Sequence, residues 1–79
     1  MLIHLQYYAL LREQAGRSTE SLQSPAATPA ALYGELQRRY PFTRTEWQLK
    51  VAVNGEFADW NRPLADGDAV VFIPPVAGG

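Results

Sequence analysis

The chain has 79 residues, no cysteine and a net charge of −1, which leaves room for one small domain and excludes a disulfide scaffold or a thiolate metal site. Its six arginines and one lysine are scattered, with Arg38-Arg39 the only adjacent pair, whereas nucleic-acid binding calls for a concentrated basic stripe. Met1-Leu2-Ile3-His4 is not a basic region leading into an apolar run, and no apolar run is long enough to span a membrane, so the expectation is a soluble, unexported cytoplasmic protein.

Ile3, Leu5 and Tyr7 alternate with His4, Gln6 and Tyr8, a period of two that predicts a strand with the first three facing a core. Ala9 to Ala15 is rich in helix formers and stops at Gly16, suited to a left-handed cap; residues 18–22 can then return as a second strand. The two strands read as a hairpin with a helical turn in its connection. After the loop-like Ser24-Pro25-Ala26-Ala27, Thr28-Pro29 supplies a cap and a proline at the first helical position. Leu32, Leu36 and Tyr40 form an apolar stripe, Pro41 ends the helix, and Glu35, Arg38 and Arg39 read as its solvated face.

Leu49, Val51 and Val53 alternate with Lys50 and Ala52 as a third strand, and Asn54-Gly55 suits the positive φ angles of a tight turn. Phe57 lies on or just after the return limb. Asp66-Gly67 marks a further turn before the final strand, Ala69 to Ile73, which Pro74-Pro75 halts. Strand, strand, helix, strand, strand is an α+β order in which one helix covers one face of a mixed sheet, the β-grasp or ubiquitin-like arrangement. The expected organisation is a domain over residues 1–75 and a flexible diglycine tail over residues 76–79.

Catalysis needs a nucleophile, base or metal gathered in a cleft, and here there is one histidine and a set of dispersed carboxylates. His4, alone on an outward strand face, reads as structural or solvated. Asp66 and Asp68 bracket Gly67 as turn residues and are too few for a metal. The glycines are isolated apart from the terminal pair, so no phosphate-cradling loop is present and no bound cofactor is expected.

That leaves Gly78-Gly79. A diglycine end could simply fray, yet it is also the thinnest polypeptide available and can thread a narrow channel into another protein. Its carboxylate, adenylated by ATP, becomes a mixed anhydride open to a sulfur nucleophile, giving a terminal thiocarboxylate.

Val53-Asn54-Gly55-Glu56, Pro63-Leu64-Ala65-Asp66-Gly67-Asp68 and Phe72-Ile73-Pro74-Pro75-Val76-Ala77-Gly78-Gly79 together resemble the small-subunit family of molybdopterin synthase. Tyr7-Tyr8-Ala9, Leu11-Arg12-Glu13 and Gly16 extend the likeness to the front end, and the weakest stretch lies between residues 24 and 46. The resemblance implies a sulfur carrier whose last glycine is adenylated by an adenylyltransferase related to ubiquitin-activating enzymes. ATP is consumed by that enzyme and is not bound by the carrier. A sulfur donor protein then supplies the thiocarboxylate sulfur. The carrier docks on the large synthase subunit, in heterotetramers with two of each, and sulfur passes to cyclic pyranopterin monophosphate to build the dithiolene of molybdopterin. On that resemblance Gly79 is the reactive terminus and Gly78 its slim neighbour, while Pro74, Pro75, Val76 and Ala77 lead the tail into the partner.

The docking face follows from strand alternation. If Val70 and Phe72 face the helix, Val71 and Ile73 point to the uncovered face, where Tyr8, Ala52 and Phe57 would join them in an apolar patch. Arg12, matching an arginine of the family, would add a polar rim contact. The plainer alternative is scattered surface apolarity. Tyr7-Tyr8 departs from the phenylalanines common in the family, and the first strand begins one residue later, which affects only docking detail. Other readings of the tail are a carrier for thiamin, tRNA thiolation or cysteine synthesis, a ubiquitin-like modifier that forms an isopeptide bond with lysine, and an interaction module with an inert end.

Overall fold

The structure, a computed structural model, describes residues 1–74. In chain order its elements are β1 (Leu2–Tyr7), α1 (Ala9–Ala15), β2 (Thr19–Gln23), α2 (Pro29–Arg39), a short 3-10 helix (Glu46–Gln48), β3 (Lys50–Val53), β4 (Glu56–Ala58) and β5 (Ala69–Ile73). The strands form one sheet in the order β2-β1-β5-β3-β4. Its central pair, β1 and β5, is parallel, and the β1-β2, β3-β5 and β3-β4 pairs are antiparallel. Parallel neighbours demand a long crossover. Here that crossover carries α2.

Local chemistry sets the ends of the elements. Gly16 takes φ of 75° and donates its N–H to the Arg12 carbonyl, closing α1 with a left-handed cap. The Thr28 hydroxyl accepts from the Ala31 N–H at 3.2 Å with Pro29 at the first helical position, so α2 starts where its cap and proline dictate. Asn54 and Gly55, at φ of 54° and 85°, make the two-residue turn whose twist matches the flanking strands β3 and β4.

The core lies between α2 and one face of the sheet. Ile3, Leu5 and Tyr7 of β1, Val51 and Val53 of β3, and Val70 and Phe72 of β5 are at most 3% exposed, as are Leu32, Tyr33 and Leu36 of α2. Tyr33 packs on Phe72 at 5.1 Å between ring centroids, and Trp60 stacks on the same ring at 5.5 Å. Each such large apolar side chain contributes about 1.5–3 kcal/mol by leaving water, a substantial share of what so small a domain has available.

Several sequence expectations need correction. The final hairpin limb is a full strand, β4, so the sheet has five strands. Leu49 is buried but belongs to the end of the 3-10 helix, whose last turn draws the Leu49 N–H onto the Glu46 carbonyl; β3 starts one residue later. The second strand runs over Thr19–Gln23. Glu35 is half-buried and accepts a hydrogen bond from the Ser24 hydroxyl at 3.1 Å, because the loop before α2 folds back over that side of the helix. Tyr33, outside the predicted stripe, is among the most buried side chains: Phe42 and Trp60 cover it from loops.

Candidate functional site

Alternation along the strands builds the uncovered face of the sheet as rows. Phe57, Ala52, Val71, Gln6 and Thr19 are consecutive register partners across all five strands. Lys50 and Ile73 form the next row toward the end of β5, and Tyr8 follows β1 at that end. In the opposite direction lie Ala69, His4 and Ser21. The face is therefore mostly apolar over β4, β3 and β5, with Lys50 the exception, and polar over β1 and β2. Because β1 and β5 run parallel, with Tyr7 beside Phe72, the chain leaves β5 next to Tyr8 and the start of α1.

Phe57 is 77% exposed and Tyr8 45%, with Val71, Ile73 and Pro74 half-buried. Exposed and half-buried apolar side chains thus cluster toward the exit of the last strand, which makes this face the candidate docking surface. Ala52 points to this face but is only 9% exposed, screened between its register neighbours Phe57 and Val71; it is the floor of the patch and not a projecting contact. Arg12 is exposed on α1, where its backbone N–H donates to the Tyr8 carbonyl at 3.3 Å, so the residue sits one turn along the chain from Tyr8. Ala9, between them, takes φ of 49°, a left-handed conformation unusual for alanine that turns the chain sharply from strand to helix. Pro75, Val76, Ala77, Gly78 and Gly79 lie outside the described residues.

Polar networks hold the frame behind this face. Glu20 accepts hydrogen bonds from the Tyr7 and Tyr40 hydroxyls at 2.6 and 2.7 Å, with Arg17 at 3.6 Å on its other oxygen. Burial, reinforced by the neighbouring carboxylate, pushes the ionisation of both tyrosines upward, and burial alone pushes Tyr33 up to about 12. Asp68 accepts from the Ala65 N–H at 2.8 Å and the Asn54 amide at 2.9 Å, with Arg62 at 3.6 Å. Its carboxyl is held below 3.8, first by the Ala65 N–H and then by Asn54. Asp66 accepts from the Leu2 N–H. Both aspartates thus serve the turn before β5, as their place around Gly67 implied. His4 is exposed and shares a 2.7 Å hydrogen bond with Ser21.

Among the described residues no three His, Asp or Glu side chains gather as a metal site, and no helix is long and apolar enough to cross a membrane. One exposed residue escaped the sequence reading. Trp47, 83% exposed, stands on the 3-10 helix, where the Gln48 side chain accepts from the Thr45 N–H at 2.9 Å. Its signal was the unusual choice of tryptophan inside the polar stretch Thr45-Glu46-Trp47-Gln48.

A five-stranded mixed sheet with one main helix across one face, and a parallel central pair joined through it, defines a ubiquitin-like β-grasp protein. The ThiS family model matches residues 5–79, and the chain belongs to that family. It is 31% identical to the molybdopterin synthase sulfur carrier subunit of Escherichia coli, over 99% of this chain and all of the relative. It is 35% identical to the protein of the same name in Mycobacterium tuberculosis, over 98% and 96% of the two chains. Among solved structures it is similar to the small archaeal modifier protein 1 of Haloferax volcanii, with a TM-score of 0.81, 27% identity and full coverage of both chains. These matches place the chain among the ubiquitin-like sulfur carriers.

Proposed function

We propose that this protein is the sulfur carrier subunit of molybdopterin synthase and that the Gly79 carboxylate is the group it delivers. The Gly79 carboxylate attacks the α-phosphorus of ATP in an activating enzyme, pyrophosphate leaves, and an acyl adenylate forms. The terminal sulfur of a persulfide on a donor protein then attacks the carbonyl carbon and AMP departs; a second thiol attacks the donor's own sulfur in the resulting acyl disulfide, leaving a protein disulfide and releasing the thiocarboxylate. Docked on the large synthase subunit, the tail releases sulfur to the pyranopterin precursor. What carries the reading is the alignment to two carriers of that name, which spans nearly the whole chain; the family match itself runs through Gly79. The patch of Tyr8, Phe57, Val71 and Ile73 beside the exit of β5 supports docking, since a partner covering it would receive the tail directly.

Intact-mass spectrometry tests the chemistry. With activating enzyme, ATP and a sulfur donor, exchange of a terminal oxygen for sulfur should add about 16 Da, the mark of an activated acyl group captured by sulfur. An unchanged mass overturns the carrier reading. Likeness to an archaeal modifier protein favours a second outcome, in which the same activated glycine is captured by lysine; ATP-dependent conjugates would then appear in place of the thiocarboxylate. Conversion of the pyranopterin precursor on adding the large subunit decides between molybdopterin and another thiolation pathway.

A further inference from the structure

An open groove of about 800 Å³ runs along the outer edge of the sheet, its apolar lining dominated by Trp47, Phe57 and Trp60 and its charged lining made of Lys50, Asp59 and Arg62. Trp47 and Phe57, 83% and 77% exposed, stand at this groove. Such exposure of two large aromatics is costly for a monomer and common where a partner's side chain inserts.

The backbone beside the groove says what fits. Among the described residues β4 is the last strand of the sheet, and its outer side has no strand partner. The two-residue turn makes Val53 and Glu56 the hydrogen-bonded pair that closes the hairpin. In an antiparallel ladder bonded pairs alternate with non-bonded ones, so Ala52 and Phe57 do not exchange hydrogen bonds. The Ala52 peptide groups turn toward β5, and the Phe57 N–H and C=O turn outward to the open edge. A donor and an acceptor spaced for a β-ladder thus lie between two exposed aromatic rings. A natural sheet edge left bare in this way is usually blunted or covered.

We propose that the protein partner that docks on the uncovered face adds an extended segment to β4, pairing with the Phe57 N–H and C=O and seating an apolar side chain against Trp47 in the groove. This inference rests on the docking reading above and names a second part of that interface. The occupant is a strand of the large synthase subunit and not a free peptide, because Phe57 belongs both to the groove and to the patch around the β5 exit, so one docked body covers the two together. Strand addition draws affinity from main-chain hydrogen bonds and selectivity from the flanking pockets.

Backbone hydrogen exchange on the full-length chain, followed residue by residue with and without purified large subunit, tests the pairing. The Phe57 amide should exchange rapidly in the free protein and slow about tenfold or more in the complex as its N–H gains an acceptor. Trp47→Ala, at a site too exposed to unfold the domain, should weaken binding about tenfold. If the large subunit binds while the Phe57 amide stays fast, strand addition is overturned and docking on the sheet face stands. Protection with an unchanged affinity for Trp47→Ala overturns seating in the groove. Protection that grows with the concentration of the carrier alone assigns the edge to a second copy and overturns the proposal. No binding by the wild-type chain overturns the docking reading together with this extension of it.

Discussion

The two faces of the sheet obey the same alternation and come to opposite ends. On the face under α2, β1 and β5 contribute Ile3, Leu5, Tyr7, Val70 and Phe72, all 3% exposed or less. On the other face the same strands contribute His4, Gln6, Val71 and Ile73, which remain exposed or half-buried. A five-stranded sheet with a single main helix can dry only one side, so the larger apolar residues on the second side stay at least partly in water unless a partner covers them. The difference separates stability from docking: substitutions under the helix should act on folding, and those on the open face should act on association.

The largest expected effect tests the first half of that statement. Phe72→Ala, which leaves a void beneath Tyr33 and Trp60, should cost about 3–5 kcal/mol in denaturant unfolding, enough to unfold a large share of so small a domain. Phe57→Asp should change unfolding by no more than about 0.5 kcal/mol while weakening capture by the large subunit roughly 10- to 100-fold, measured by calorimetry. If Phe57→Asp unfolds the protein instead, the division between the faces fails.

Two smaller effects sharpen the comparison by probing the polar groups behind the core. Asp68→Asn should lose about 1 kcal/mol at neutral pH and flatten the acid limb of the stability profile. The sign follows from the lowered carboxyl: Asp68 is ionised more readily in the folded chain, so its contribution is fully present above the unfolded value of 3.8 and is lost as pH falls below it through the native value. Thermal melts across that range give the answer. At the alkaline end the sign reverses. Tyr33 ionises near 12 when folded against 10.0 when unfolded, so its stabilisation is complete below 10 and declines as pH climbs from there toward 12. The smallest change expected is Ala9→Gly, which relieves the left-handed φ of 49° and should raise or leave unchanged the melting temperature, by a few degrees at most.

Much of this was legible in the chain because local rules and burial agreed. The alternation of β1, the Thr28-Pro29 start of α2 and the Asn54-Gly55 turn each have a cause within a few residues. The open-face patch was legible too, since Val71 and Ile73 must oppose Val70 and Phe72. Other features have causes far away in sequence. Tyr33 is buried because Phe42 and Trp60 arrive over it from loops. Glu35 left the solvated face because Ser24 reaches it. Ala52, expected as a contact, became a floor once Phe57 and Val71 flanked it.

By itself, then, the sequence determined most of the elements and the polarity of each strand face, because these depend on period, caps and composition, and it carries the Gly78-Gly79 end on which the proposed function rests. Tertiary structure alone decided that β4 is the outermost strand, that the Phe57 peptide groups face outward, and that Trp47 stands beside them across a groove. Those facts depend on strand order and ladder register, which bring together residues that share no local pattern.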